Sequence, residues 1–169
     1  MADKVTGART EVELTVEVAP EKLWEIITDV ARIGEFSPEC TGGAWLDSDS
    51  PGPRVGARFA GHNEYGDGFS SDVLCVVTES EPGRVFGWVV LDDAEDPALP
   101  GTTWRYELSG AAFGRTVVRQ TFLHGPGDTG LREMVAGLSP VVAAAGVRER
   151  LGQIREHMTE TITAMAERG

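Results

Sequence analysis

From residue 10 to residue 18 apolar and polar positions alternate strictly: Val12, Leu14, Val16 and Val18 against Glu11, Glu13, Thr15 and Glu17. A period of two describes a strand with one buried and one wet face. Pro20 then fits the first position of a helix, where its missing N–H costs nothing. Leu23, Ile27 and Val30 follow at i, i+4 and i+7 with Trp24 alongside, an amphipathic stripe. A second short turn over 30–36 is predicted to end before Pro38.

Turn residues then divide the chain into short extended runs. Strands are predicted over 41–46, 55–63, 69–80, 84–91, 102–109 and 115–123. A Ser/Asp/Pro/Gly run over 47–53, the hairpin loop over 64–68, Glu81-Pro82-Gly83 and the 110–114 loop separate them. The longest polar connection, 92–101, is expected to be mobile. Turns at this spacing imply an antiparallel meander.

After Gly125-Pro126-Gly127 the period changes. Leu131, Met134, Val135 and Leu138 mark a short helix, and Ser139-Pro140 reads as an N-cap followed by a first helical residue. The next stripe, Val147, Leu151, Ile154, Met158, Ile162 and Met165, stays on one face to the end of the chain. Strands followed by a terminal helix define an α+β class, with the helix laid across one sheet face. No repeat or linker interrupts the pattern, so residues 1–169 read as a single domain.

Composition narrows the function classes. A formal charge of −12 without any basic cluster argues against nucleic acid. Cys40 and Cys75 lack CxxC or His spacing and read as reduced, buried or half-buried hydrophobes. The first nine residues look like a frayed lead-in without the apolar core of a secretory signal. No apolar run approaches ~18 residues, so no membrane span is expected, and the cytoplasm is the default location.

The pattern Ala19-Pro20-x-x-x-Trp24-x-x-x-x-Asp29 followed by Phe36-Ser37-Pro38 resembles the START-like superfamily. The closest branch by resemblance is the polyketide cyclase/dehydrase and lipid-transport group (SRPBCC). Val55-Gly56-Ala57-Arg58-Phe59, residues 77–84, and Trp104-Arg105-Tyr106-Glu107-Leu108 before Gly114-Arg115-Thr116-Val117 extend the likeness. It covers roughly residues 11–122 and the last helix. The resemblance implies a helix-grip fold: a curved antiparallel sheet wrapped around a long C-terminal helix, with a hydrophobic cavity between them. The segment 128–139 reads as an extra helix relative to the shortest members, placed to alter the cavity mouth.

Alternation assigns faces to the strands. Phe59, Gly61 and Asn63 point inward, as do Phe69, Ser71, Val73, Cys75 and Val77. Phe86, Trp88 and Val90 follow, then Trp104, Tyr106 and Leu108; Arg58, His62, Arg105 and Glu107 point outward. The last strand is ambiguous on its residues alone, with Val117, Arg119, Thr121 and Leu123 opposed to Thr116, Val118, Gln120 and Phe122. By the resemblance the Val117 set faces in, which carries Arg119 inside. An inward guanidinium would need an acid, an acceptor network or an anionic ligand head. The candidate ligand-binding residues are thus Phe59, Asn63, Phe69, Cys75, Phe86, Trp88, Trp104, Tyr106, Arg119 and Met158. The aromatic members have an equally simple reading as plain core, since each buried large side chain contributes ~1.5–3 kcal/mol. A dry void of ~300 Å³ would cost about 7 kcal/mol, so a large cavity should hold a ligand or ordered water.

No catalytic motif is present, and His62, His124 and His157 lack metal-ligand spacing. No catalytic residue is assigned, and neither a cofactor nor a metal is expected. The first expectation is binding of a small hydrophobic molecule, lipid-like, aromatic or of polyketide type, with a homodimer left open. The second is a polyketide cyclase/aromatase or dehydratase using Tyr106, Arg119 or His124 for proton transfer and enolate stabilisation. The third is a protein-interaction module resembling the chaperone-activator branch, with a filled core and an exposed apolar patch.

Overall fold

The computed structural model describes residues 5–47, 49 and 51–169. In chain order the elements are β1 (Arg9–Val16), α1 (Pro20–Thr28), a 3₁₀ turn (Val30–Glu35), β2 (Cys40–Trp45), β3 (Arg58–Glu64) and β4 (Ser70–Glu81). They continue with β5 (Val85–Leu91), β6 (Thr102–Ala111), β7 (Arg115–His124), α2 (Gly130–Val135) and α3 (Pro140–Arg168). The strands form one antiparallel sheet of seven in the order β1-β7-β6-β5-β4-β3-β2. After β1 the chain therefore crosses to the far edge through α1 and the 3₁₀ turn, then returns as a meander. This is the helix-grip arrangement, with α3 laid against the inner face.

Local chemistry explains the crossing. Pro20 opens α1, whose apolar side buries Leu23, Ile26 and Ile27. The 3₁₀ turn then lies directly on β2. A side chain at Gly34 or Gly43 would run into the backbone carbonyl oxygens of Thr41 and Val30, so these two positions require glycine. At the other end, Thr129 caps α2 by accepting the Arg132 N–H, and Ser139 caps α3 by accepting the Val142 N–H. Ser139-Pro140 therefore starts α3 as its sequence indicates.

The main core joins Leu23 and Ile27 of α1, the inner face of the sheet, and Ile154, Met158, Ile162 and Met165 of α3. A smaller cluster holds Val5, Val135, Ala143 and Val147, and Leu151 packs against both. Val147 thus packs with α2 and the N-terminal segment, not in the main core against the sheet. Of the expected frayed lead-in, residues 1–4 lie outside the described residues. Residues 5–8 are docked: Val5 is buried, Gly7 N–H donates to the His124 carbonyl at 2.9 Å, and His124 N–H donates to the Ala8 carbonyl at 2.8 Å. The turn expected over 47–53 includes positions 48 and 50, which lie outside the described residues.

Two inward assignments are overturned. In β7 the buried set is Thr116, Val118, Gln120, Phe122 and His124, while Arg119 and Leu123 are exposed. The register decides this, because Gln120 lies opposite both Tyr106 of β6 and Val12 of β1, and Val118 opposite Leu108. The physical reason is desolvation. Outward, Arg119 keeps half its side chain in water, 3.8 Å from Glu13, whereas inward it would be an unpaired buried charge. Phe69 precedes β4 in the hairpin loop, where Asp67 accepts its backbone N–H at 3.1 Å, and it is 71% exposed. A bulge between Val77 and Glu79 also shifts the phase at the end of β4. Among the described residues, no helix is long and apolar enough to cross a membrane.

Candidate functional site

Cross-strand register lines the inner face with aromatic side chains. Phe86 faces Tyr106, Trp88 faces Trp104, Trp104 faces Phe122, and Trp45 faces Phe59. The rings form one continuous run. Trp24 of α1 meets Phe86 edge-on at 5.9 Å between centroids, and Trp88 stacks on Trp104 at 6.3 Å with only 6° between planes. Phe59 and Tyr106 flank Trp88 at 6.1 and 6.0 Å, and Phe122 meets Trp104 at 4.9 Å. Such spacings are those of favourable aromatic pairs.

Exposure separates this run into two parts. Phe59, Phe86, Tyr106 and Phe122 are buried, whereas Trp88 and Trp104 are only half-buried although they face inward on central strands. The two stacked residues therefore keep some solvent exposure. Trp104 satisfies its indole N–H on the Thr102 hydroxyl at 3.0 Å. Cys75 and Met158 are buried, while Asn63 and Cys40 are half-buried near one end of the face.

The buried polar side chains on the inner face of β6 and β7 are Tyr106, Thr116, Gln120 and His124. Burial pushes the Tyr106 phenol well above its usual range, and a hydrogen bond from the Gln120 side chain works against that shift. Burial likewise raises the Cys75 and Cys40 thiols, which disfavours their thiolate forms. Both cysteines are free. Gln120 is 96% removed from solvent, and its side-chain oxygen accepts no hydrogen bond.

A charged clasp joins α3 to the start of β2. Arg150 of α3 grips Glu39 through two parallel bonds of 2.7 and 2.8 Å, with both side chains about four-fifths buried. The same guanidinium lies over the Tyr65 ring at 5.8 Å and donates to Gln153. Tyr65 shares a hydrogen bond of 2.8 Å with Ser71, to which Asn63 also donates at 3.4 Å. His157 Nδ1 stands 3.5 Å from Glu39. Sequence reading missed Glu39, Arg150 and His157 as a group. The available signal was spacing: positions seven apart on a helix, 150 and 157, share a face.

The residues advanced for proton transfer are not brought together. Arg119 points outward. His124 is buried with both ring nitrogens engaged, Nδ1 on the Gly125 carbonyl at 2.7 Å and Nε2 on the Thr129 hydroxyl at 2.6 Å, which ties β7 to the α2 cap. His62 lies on the outer face, 2.6 Å from Asp72 of the neighbouring strand, and this carboxylate raises the pKa of the imidazole. No group of His, Cys, Asp and Glu among the described residues could hold a metal ion. Two surface clefts, of about 590 Å³ beside Glu17, Phe113 and Arg115 and about 430 Å³ between the start of α1 and the adjoining hairpins, lie apart from the aromatic run.

A curved seven-stranded sheet gripping a terminal helix over an aromatic inner face defines the class. The chain belongs to the family described as polyketide cyclase/dehydrase and lipid transport, whose model matches residues 7–159. A Polyketide_cyc-like protein from Corynebacterium glutamicum, solved in solution, is 26% identical. The match covers 95% of this chain and 90% of that one, with a TM-score of 0.63. The Zhui aromatase/cyclase from a Streptomyces species shares the fold at 16% identity, covering 95% and 92% of the two chains at a TM-score of 0.67. The di-domain ARO/CYC StfQ of the steffimycin pathway also shares it at 16% identity and 0.67, over 96% of this chain and 50% of that one. No curated protein matches the chain.

Proposed function

We propose that the inner face binds a small, largely apolar ligand of lipid-like, aromatic or polyketide type beside the stacked Trp88 and Trp104. The observation that carries this reading is the incomplete burial of those two stacked residues on central strands, between buried Phe59, Phe86, Tyr106 and Phe122. Large flat side chains left accessible inside a fold offer apolar area to a guest at little conformational cost. Phe59, Cys75, Phe86, Tyr106 and Met158 form the surrounding wall, and Asn63 supplies a polar contact toward the Arg150 end. Arg119 and Phe69 take no part. The family's description and the aromatase/cyclase neighbours support a ligand of this class. The free cysteines fit a reducing compartment and favour the cytoplasm.

The test is a fluorescence titration with N-phenyl-1-naphthylamine, a neutral apolar probe. Saturable binding with quenching of tryptophan emission is expected, and Trp88→Leu should abolish most of the quenching while the protein stays folded. If neither this probe nor a fatty acid binds, the reading is wrong, and a protein-interaction module becomes the better account.

A further inference from the structure

A buried amide oxygen without a donor is rare in folded proteins, because it forfeits its hydrogen bonds to water and gains nothing in return. Gln120 is in that state. It lies on the inner face of β7, between Val118 and Phe122 and opposite both Tyr106 and Val12. Its side chain is 4% exposed, and Oε1 has no hydrogen-bond partner. The side chain stands opposite Tyr106 across the β6–β7 pairing and works against the burial-driven rise of the phenol's pKa. Tyr106 packs on Trp88 at 6.0 Å, and Trp88 is half-buried, so the orphan acceptor belongs to the same interior as the stacked indoles. Among the described residues of β6 and β7, neither arginine flanking Gln120 and Tyr106 shares this face: Arg119 and Arg105 both point outward, the latter held by Glu79 and Glu107.

On the reading that this interior binds an apolar ligand, we infer that Gln120 is its specificity-determining residue, accepting a hydrogen bond from a neutral ligand hydroxyl or amide N–H. The wall supplies affinity for any flat apolar body. The amide oxygen adds a preference for a phenol, an alcohol or an amide over the same skeleton without a donor hydrogen. A carboxylate is excluded twice. It would meet another acceptor at Gln120, and the guanidinium at the groove end, Arg150, is already matched by Glu39.

Three naphthalenes separate the alternatives in equilibrium titrations of the full chain. 2-Naphthol carries the donor, 2-methoxynaphthalene keeps the oxygen without it, and 2-naphthoate carries a charge. The wild-type protein should bind 2-naphthol about five- to tenfold more tightly than 2-methoxynaphthalene, the worth of one neutral hydrogen bond to a buried acceptor. 2-Naphthoate should bind at least about tenfold more weakly than 2-naphthol. Gln120→Met, close in volume, should erase the preference by weakening 2-naphthol alone and leaving 2-methoxynaphthalene unchanged. Its melting temperature should stay close to that of the wild type, because loss of the unsatisfied oxygen offsets loss of the contact to the Tyr106 phenol. Equal affinity for 2-naphthol and 2-methoxynaphthalene in the wild type would overturn the role of Gln120 and leave the ligand site standing. Failure of all three to bind would overturn the site itself. A marked drop in the melting temperature of Gln120→Met, or its failure to fold, would show that the amide serves the fold and would also overturn the inference.

Discussion

The two polar clusters that touch the groove are built on opposite principles. At the groove end, Glu39 and Arg150 carry full charges and answer each other through two short bonds, with His157 and Tyr65 as close neighbours. Inside, Tyr106 and Gln120 are neutral, and one of their acceptors is left open. A charge taken from water must be matched within the fold, so the outer cluster acts as a clasp between α3 and the start of β2. A neutral amide costs far less to leave incomplete, so the inner pair can keep an acceptor for something that arrives. Paired charges mark the clasp, although His157 Nδ1 beside it is also buried without a hydrogen-bond partner; the open acceptor of Gln120 differs in being neutral and in lying next to the aromatic run.

The largest effect should come from breaking the clasp. Arg150→Met leaves the Glu39 carboxylate largely buried and alone, and should cost about 2–3 kcal/mol in chemical denaturation, below the full penalty for a sealed pair because both groups keep some solvent. Adding Glu39→Gln should recover part of that loss, since the two residues act as one unit. If Arg150→Met is as stable as the wild type, the clasp is ornamental and the contrast with Gln120 collapses.

A much smaller effect is expected on the outer face of β7. Arg119→Ala removes a side chain that is half in water and makes only a 3.8 Å approach to Glu13. Stability should change by less than about 0.5 kcal/mol, and the affinity for neutral and anionic naphthalenes should not change. A selective loss of 2-naphthoate binding would return Arg119 to the interior and break the comparison from the other side.

The smallest effect is a titration. Asp72 raises the His62 pKa above its ordinary 6.5 in the folded chain. The stabilisation from this pair is therefore fully present below the unfolded value and fades as pH rises through the folded one. Asp72→Asn should return the imidazole toward 6.5 in an NMR titration, with no change in ligand binding. An unchanged His62 titration would mean that the pair is not formed in solution.

Much of the fold was legible in sequence because period and punctuation agree. Val12 to Val18 alternate, Pro20 and Ser139-Pro140 mark helix starts, and the meander strands are parted by Gly, Pro and Asp. The inward aromatics of β3, β5 and β6 followed from the same alternation. The face of β7 did not, because its two alternating sets are almost equally apolar and pairing register rather than composition decides between them. Family likeness pointed to the wrong set. The cost of sealing Arg119 without a partner, against the modest cost of sealing Gln120, was a physical argument available from the residues alone. Phe69 was misplaced by one residue at a strand start, where the Asp67 turn takes over. The Glu39–Arg150 clasp joins positions far apart in sequence, and local pattern carries no information on such a pair.

The proposed ligand is held on the inner face, with Gln120 as its polar contact. The most direct measurement is a ¹⁵N-correlated NMR titration with 2-naphthol, following side-chain signals. The Gln120 amide and the Trp88 and Trp104 indoles should shift together on one saturable curve, while Arg119 Nε–H and the His62 ring stay still. Shifts confined to outer-face residues, or indole shifts without movement at Gln120, would contradict it.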